Sequence, residues 1–202
     1  MQTQLFNPIV VEIPYEKIYH RLGYRSGVTK LAAQEKDEIE RCINGAAALL
    51  NLKGTAARIP IGAESTQIIL PTGDTFKSKL LFSLLKGCSA MLCMAITAGD
   101  TIIRAIESLQ EDDLKLGVIY DAVASEMVDA GFEWIQGYYG QELARENLCL
   151  LTKRISCGYG DFSIKYQKVF YELLKLKSLG VTMTEAYMLI PEKTATAVTG
   201  IT

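Results

Sequence analysis

The chain is poor in the residues that most often make a self-contained active site. It has one histidine, His20, in the segment Tyr19-His20-Arg21. A single imidazole cannot build a histidine-rich metal centre, and a Ser/His/Asp or Cys/His hydrolase would have to depend on it alone. Cys42, Cys88, Cys93, Cys149 and Cys157 are an odd set without Cys-x-x-Cys spacing, so neither a disulfide framework nor a zinc site is expected. Four of them lie in apolar or helical contexts, where a reduced cysteine acts as a small hydrophobe. No P-loop is present, and Gly158-x-Gly160 lacks the third glycine of a dinucleotide fingerprint. Net charge is −2, and no basic stripe with interleaved aromatics appears, so nucleic acid is not an expected partner. The longest apolar run, Ala90 to Ala98, contains Thr97 and is too short to cross a bilayer. The start, Met1 to Pro8, lacks the basic and apolar regions of a signal peptide, so a cytoplasmic location away from membranes is expected.

What is present suits an ordinary packed core: 202 residues, 49 % hydrophobic and 22 % charged. Ile9 to Ile13 reads as a strand stopped by Pro14. Glu16 to Leu22 reads as a short helix. In Gln34 to Leu50, Ile39, Ile43, Ala46, Ala47 and Leu50 recur at helical spacing. Short strands follow at Ala57 to Ile61 and Gln67 to Leu70, with turn chemistry after each. Thr75 is the expected cap of a helix from Phe76 to Leu85. Ser89 to Ala98 predicts a buried central strand. A helix follows Gly99-Asp100 to about Leu109, and a longer one runs from Asp112-Asp113 to about Ile135, with Lys115, Asp121 and Asp129 on its far side. Gly137, Gly140 and the residues to Asn147 are the expected exit loop.

Leu148 to Ser156 reads as a strand and delivers Arg154 into Ile155-Ser156-Cys157-Gly158-Tyr159-Gly160-Asp161. Glycine in such a turn tolerates positive φ and lets a ligand approach the backbone. Arg154 carries a planar fork suited to a carboxylate or phosphate. An ordinary strand, turn and helix start with Arg154 in a surface ion pair fits the same residues. Asp161 or Ser163 is the expected cap of a helix from Ile164 to Leu176. Val181 to Thr184 and Ala186 to Ile190 read as extended, Pro191-Glu192-Lys193 as a turn, and Thr194 to Ile201 as the last strand. Glu185 interrupts an apolar run, which places it either outward on an edge or toward a polar site. Helices and strands mix without a βαβ rhythm, so an α+β fold in one domain, residues 1–202, is expected.

Arg154-x-x-x-Gly158-Tyr159, then an amphipathic helix, Gly180-Val181-x-x-Thr184-Glu185 and Met188-x-x-Pro191 occur in that order, with Thr194-Ala195-Thr196 after them. This arrangement resembles the activation (reactivation) domain of cobalamin-dependent methionine synthase. Leu22-Gly23-Tyr24-Arg25, Gly87-Cys88, Thr97-Ala98-Gly99 and Asp121 to Ser125 resemble its short, free-standing relatives.

The resemblance implies a single curved α+β domain with a central antiparallel sheet flanked by helices. It also implies binding of S-adenosylmethionine, with Arg154, Ser156, Gly158, Tyr159, Glu146, Glu126 and Glu185 as the candidate contacts, Glu146 ranked ahead of Glu126. Asp129 is a further carboxylate of interest. The implied role is reductive methylation of cob(II)alamin carried by a separate methionine synthase core subunit, with a flavodoxin-type electron donor. The chain shows no Asp-x-His-x-x-Gly loop for cobalamin. A non-catalytic interaction module serving another corrinoid methyltransferase is the alternative. The sequence departs from the family pattern at Cys157 and Gly160, where proline is usual, and ends at Thr202, before the family's C-terminal aromatic and His-Pro segment.

Overall fold

The computed structural model describes residues 2–25 and 27–202. The sequence's most apolar stretch sets the architecture. Ala90–Thr97 is buried at every residue, which requires cover on both faces of the sheet that contains it. In chain order the first elements are β1 (Thr3–Phe6), α1 (Tyr15–Arg21), α2 (Ala33–Ala48) and β2 (Lys53–Pro60). A small three-stranded sheet follows, from β3 (Gly62–Glu64), β4 (Gln67–Ile69) and β5 (Thr75–Lys77). Next come α3 (Lys79–Leu85), β6 (Ala90–Thr97), α4 (Asp100–Asp112) and α5 (Leu114–Ala144). The chain closes with α6 (Gln167–Leu173), the two-residue strands β7 (Thr182–Met183) and β8 (Leu189–Ile190), and β9 (Thr194–Ile201).

The main sheet has the order β1-β2-β6-β9 and is antiparallel throughout. Ala90, Leu92, Met94 and Ile96 of β6 face a layer that includes Ile18 of α1, Ile39 and Ile43 of α2, Ile102 of α4 and much of α5. Met91, Cys93 and Ala95 face the opposite layer, with Leu81 of α3, Phe170 of α6 and Phe76 of β5. The α+β class and the antiparallel sheet are those expected. No described helix is long and apolar enough to cross a membrane.

Several local expectations change. The first strand lies at Thr3–Phe6 rather than Ile9 to Ile13. Pro8 has no N–H to continue a ladder, and Ile9 instead donates once to Leu52 O at 2.8 Å. β2 spans Lys53–Pro60, so it begins four residues before the expected Ala57. Thr75 belongs to β5, and the cap of α3 is Ser78, whose Oγ accepts from Leu81 N at 3.0 Å. α5 continues through Gly137 and Gly140 to Ala144. Each glycine costs about 1 kcal/mol of helix propensity, which tertiary packing overrides. Residues 148–156 make only isolated bridges, Leu150 to Ile201 and Ile155 to Val198. The expected helix from Ile164 to Leu176 is divided into a 3₁₀ turn at Ile164–Tyr166, α6, and a second 3₁₀ turn at Leu176–Leu179 after Lys175 at φ 53°. Of Ala186 to Ile190, only Leu189 and Ile190 are strand.

Candidate functional site

The segment after Ile155 is shaped by what its neighbours can hold. Gly158 adopts φ 88° and donates from N to Phe162 O at 2.7 Å, while Tyr159 N donates to Ser156 O at 3.2 Å and Phe162 N to Tyr159 O at 3.0 Å. Phe162 is fully buried against Phe76, Tyr166 and Phe170. Asp161 does not cap its own helix. Its carboxylate accepts from Ser78 Oγ (2.6 Å), Lys79 N (2.7 Å) and Leu80 N (3.1 Å), closing the N-terminus of α3. These hydrogen bonds, Ser78's first, hold the Asp161 carboxyl below its ordinary value. Ser163 takes the local role instead, accepting from Lys165 N. Cys157 is packed inward, and burial pushes its thiol up to about 12, so it stays protonated and is a poor nucleophile at neutral pH. Buried Phe162 and the capping Asp161 anchor the loop. Ser156 to Tyr159 form its rim, and Tyr159 is 67 % exposed.

Arg154 reaches from this segment onto α5. Its Nη1 donates to Gln136 Oε1 at 3.0 Å and its Nη2 to Asp129 Oδ1 at 3.1 Å, and its guanidinium lies 5.3 Å from the Phe132 ring centre. Gln136 Nε2 in turn donates to Thr152 O at 3.2 Å. One turn and more along the same stripe, Lys193 Nζ contacts Asp121 Oδ1 at 2.7 Å and donates to Ser125 Oγ at 2.9 Å. Asp121, Ser125, Asp129 and Gln136 therefore share one side of α5, as spacings of four, four and seven require. That side is not a free solvent face, as the sequence suggested for Asp121 and Asp129. It docks the two cations that flank the outer edge of β9.

Residues of an antiparallel strand alternate between its two edges. Val198 exchanges both backbone hydrogen bonds with Ile155. The backbone groups of Thr194 and Thr196 therefore face that same edge, beyond the point where the 155 segment leaves it. On the other side of Arg154 an apolar groove of about 610 Å³ runs past Gln136, Gly137, Gly140, Ala144 and Leu148.

Among the residues singled out from sequence, Arg154, Ser156, Gly158 and Tyr159 lie in one short segment. The three glutamates make no hydrogen bond to Arg154. Glu126 is buried on the α1 side of α5, paired with Arg21 Nε at 2.5 Å. Glu146 lies beyond α5 and pairs with Arg58 Nη1 at 2.6 Å, off the Ile201 end of β9. Glu185 is exposed in the turn joining β7 and β8. Sequence reasoning passed over Gln136, Ser125 and Lys193. The recurrence of polar side chains at spacings of four, four and seven along α5 was the available signal for the first two. Lys193 had none, because its partners lie far away in the chain. Among the described residues, no group of three or more His, Cys, Asp or Glu is placed to hold a metal ion.

No protein-family model matches the sequence, and no curated protein matches it. Among solved structures, the chain is similar to the crystal structure of the MetH reactivation domain bound to AdoHcy. The TM-score is 0.69 at 15 % identity, over 99 % of this chain and 78 % of that one. At that identity the similarity shows a shared fold.

Proposed function

We propose that this chain is an S-adenosylmethionine-binding module that supports reductive methylation of cob(II)alamin on a separate cobalamin-dependent methionine synthase core subunit. The observation that carries the reading is Arg154, half-buried beside a glycine turn at an open sheet edge, on the fold of a reactivation domain whose structure holds AdoHcy. The ion pair between Arg154 and Asp129 suits an amino-acid head group. A carboxylate can take the Arg154 fork while an ammonium takes Asp129, so each charge of the pair keeps a partner. Gly158, without a Cβ, admits the ligand close to the backbone, and Ser156 adds a hydroxyl at the rim. The exposed Tyr159 ring offers a face to adenine or to the sulfonium cation.

Bound S-adenosylmethionine supplies the methyl group. This chain holds the donor in place, an orientation effect that needs no general base. A flavodoxin-type protein is the proposed electron donor to the corrinoid. Glu126 and Glu146 keep their pairs with Arg21 and Arg58, and no ligand contact is assigned to them or to Glu185.

Calorimetry with S-adenosylmethionine tests the reading. Wild type binds, and Arg154→Ala weakens binding about 10- to 100-fold, the range for loss of a charged hydrogen-bonded pair. Absence of binding by wild type removes the proposal. It would favour a non-catalytic module serving another corrinoid methyltransferase, in which Asp129 and Gln136 already satisfy Arg154 and hold the loop without a ligand.

A further inference from the structure

The loop bearing Ser156 to Tyr159 leaves the edge of β9 and returns to the sheet face beside it, at residues two apart on that strand. It leaves at Ile155, which exchanges hydrogen bonds of 3.0 and 2.8 Å with Val198. It returns at Gln167, the first residue of α6, whose Oε1 accepts from Thr196 Oγ1 at 3.0 Å. Both residues are buried, Gln167 at 4 % and Thr196 at 3 % exposure, in a layer made otherwise of side chains such as Cys93, Ala95, Leu173 and Val198. Gln167 Nε2 has no partner there. An amide so placed is costly, about 1–3 kcal/mol when a hydrogen-bonding group is left unsatisfied, and a leucine would fill a similar volume without that penalty. Its Oε1 does satisfy the buried Thr196 hydroxyl, so the pair forms one polar joint in an apolar layer.

We infer that Gln167 is a positioning residue. With Thr196 it clamps the return end of the loop onto β9, and so sets where the Gly158–Tyr159 backbone sits relative to Arg154. This deepens the S-adenosylmethionine reading and rests on it for the ligand, whereas the clamp itself is measurable in the free protein.

The test uses the double variant Gln167→Leu/Thr196→Val, which removes both partners at similar volume, and Thr196→Ser, which keeps the hydroxyl. Amide hydrogen exchange at Gly158, whose N–H donates to Phe162 O, is read without ligand, alongside S-adenosylmethionine affinity and the urea midpoint. The double variant is expected to speed exchange at Gly158 and weaken binding about tenfold, as for hydrogen bonds that support metal ligands from behind, with no fall in the midpoint. Thr196→Ser is expected to match wild type in exchange and affinity, with only the small fall in midpoint that a lost buried methyl brings. Unchanged exchange and affinity in the double variant overturn the inference, as do losses that merely follow a lowered midpoint. Faster exchange at Gly158 in a protein whose wild type binds no S-adenosylmethionine upholds the clamp and removes the ligand reading instead.

Discussion

Asp161 shows how one side chain can serve a neighbour's structure rather than its own. From sequence it is a helix cap beside a glycine turn. In the fold it ties the turn to α3 through Ser78, Lys79 and Leu80, and those hydrogen bonds favour its charged form. A carboxyl whose folded value is depressed contributes stability above its unfolded value, here 3.8, and loses it as pH falls through the folded one. Asp161→Asn is therefore expected to have a lower urea midpoint than wild type at pH 7. The gap should close as the pH drops below 3.8, because the protonated acid and the amide then resemble each other. A gap independent of pH would show that the charge on Asp161 contributes nothing to the joint.

Elements in this fold approach each other where glycine allows it. On β2, a Cβ at Gly54 would lie 2.7 Å from Ile96 Cδ1 and 2.8 Å from the Ala95 carbonyl oxygen. The Ile96 side chain can move, but the carbonyl belongs to the sheet ladder. Gly54→Ala is expected to cost about 1–3 kcal/mol, the usual range for overpacking. Gly137 of α5 is the contrasting case, with no atom within 4 Å of a Cβ built there. Gly137→Ala should gain about 0.5–1 kcal/mol from helix propensity. Equilibrium unfolding of the two variants checks both signs, and a stabilised Gly54→Ala would contradict the packing of β2 on β6. The same contrast explains the misplaced end of α5. The glycines read as an exit loop, but along the apolar groove they leave the helix intact and its surface open.

At the scale of the molecule, α5 organises the candidate site. Its 31 residues span about 46 Å at 1.5 Å per residue. One side packs on β6, another meets Lys17 and Arg21 of α1, and a third holds Lys193 and Arg154. The proposed ligand at Arg154 would therefore sit against a long helix rather than on a free loop. The proposed role adds an expectation for the assembled system. Mixed with its corrinoid methionine synthase partner in the cob(II)alamin state, a reductant and S-adenosylmethionine, the chain should restore methylcobalamin, observed by its visible spectrum. Arg154→Ala should slow that recovery at limiting S-adenosylmethionine. Equal recovery with and without the chain would remove the role in reactivation while leaving ligand binding to be judged by calorimetry.

The sequence by itself determined the α+β class, the buried strand at Ala90–Thr97, the last strand at Thr194–Ile201, and the gathering of Arg154, Ser156, Gly158 and Tyr159 in one segment. Those features follow from local periodicity, from burial demanded by continuous apolar residues, or from adjacency in the chain. Tertiary structure alone decided that Asp129 and Gln136 hold Arg154, that Lys193 docks on Asp121 and Ser125, that Glu126 and Glu146 turn to Arg21 and Arg58, and that Gln167 closes the loop on Thr196. These pairings join residues far apart in sequence. Their partners are selected by which helix face meets which strand edge, a choice that no local pattern of residues encodes.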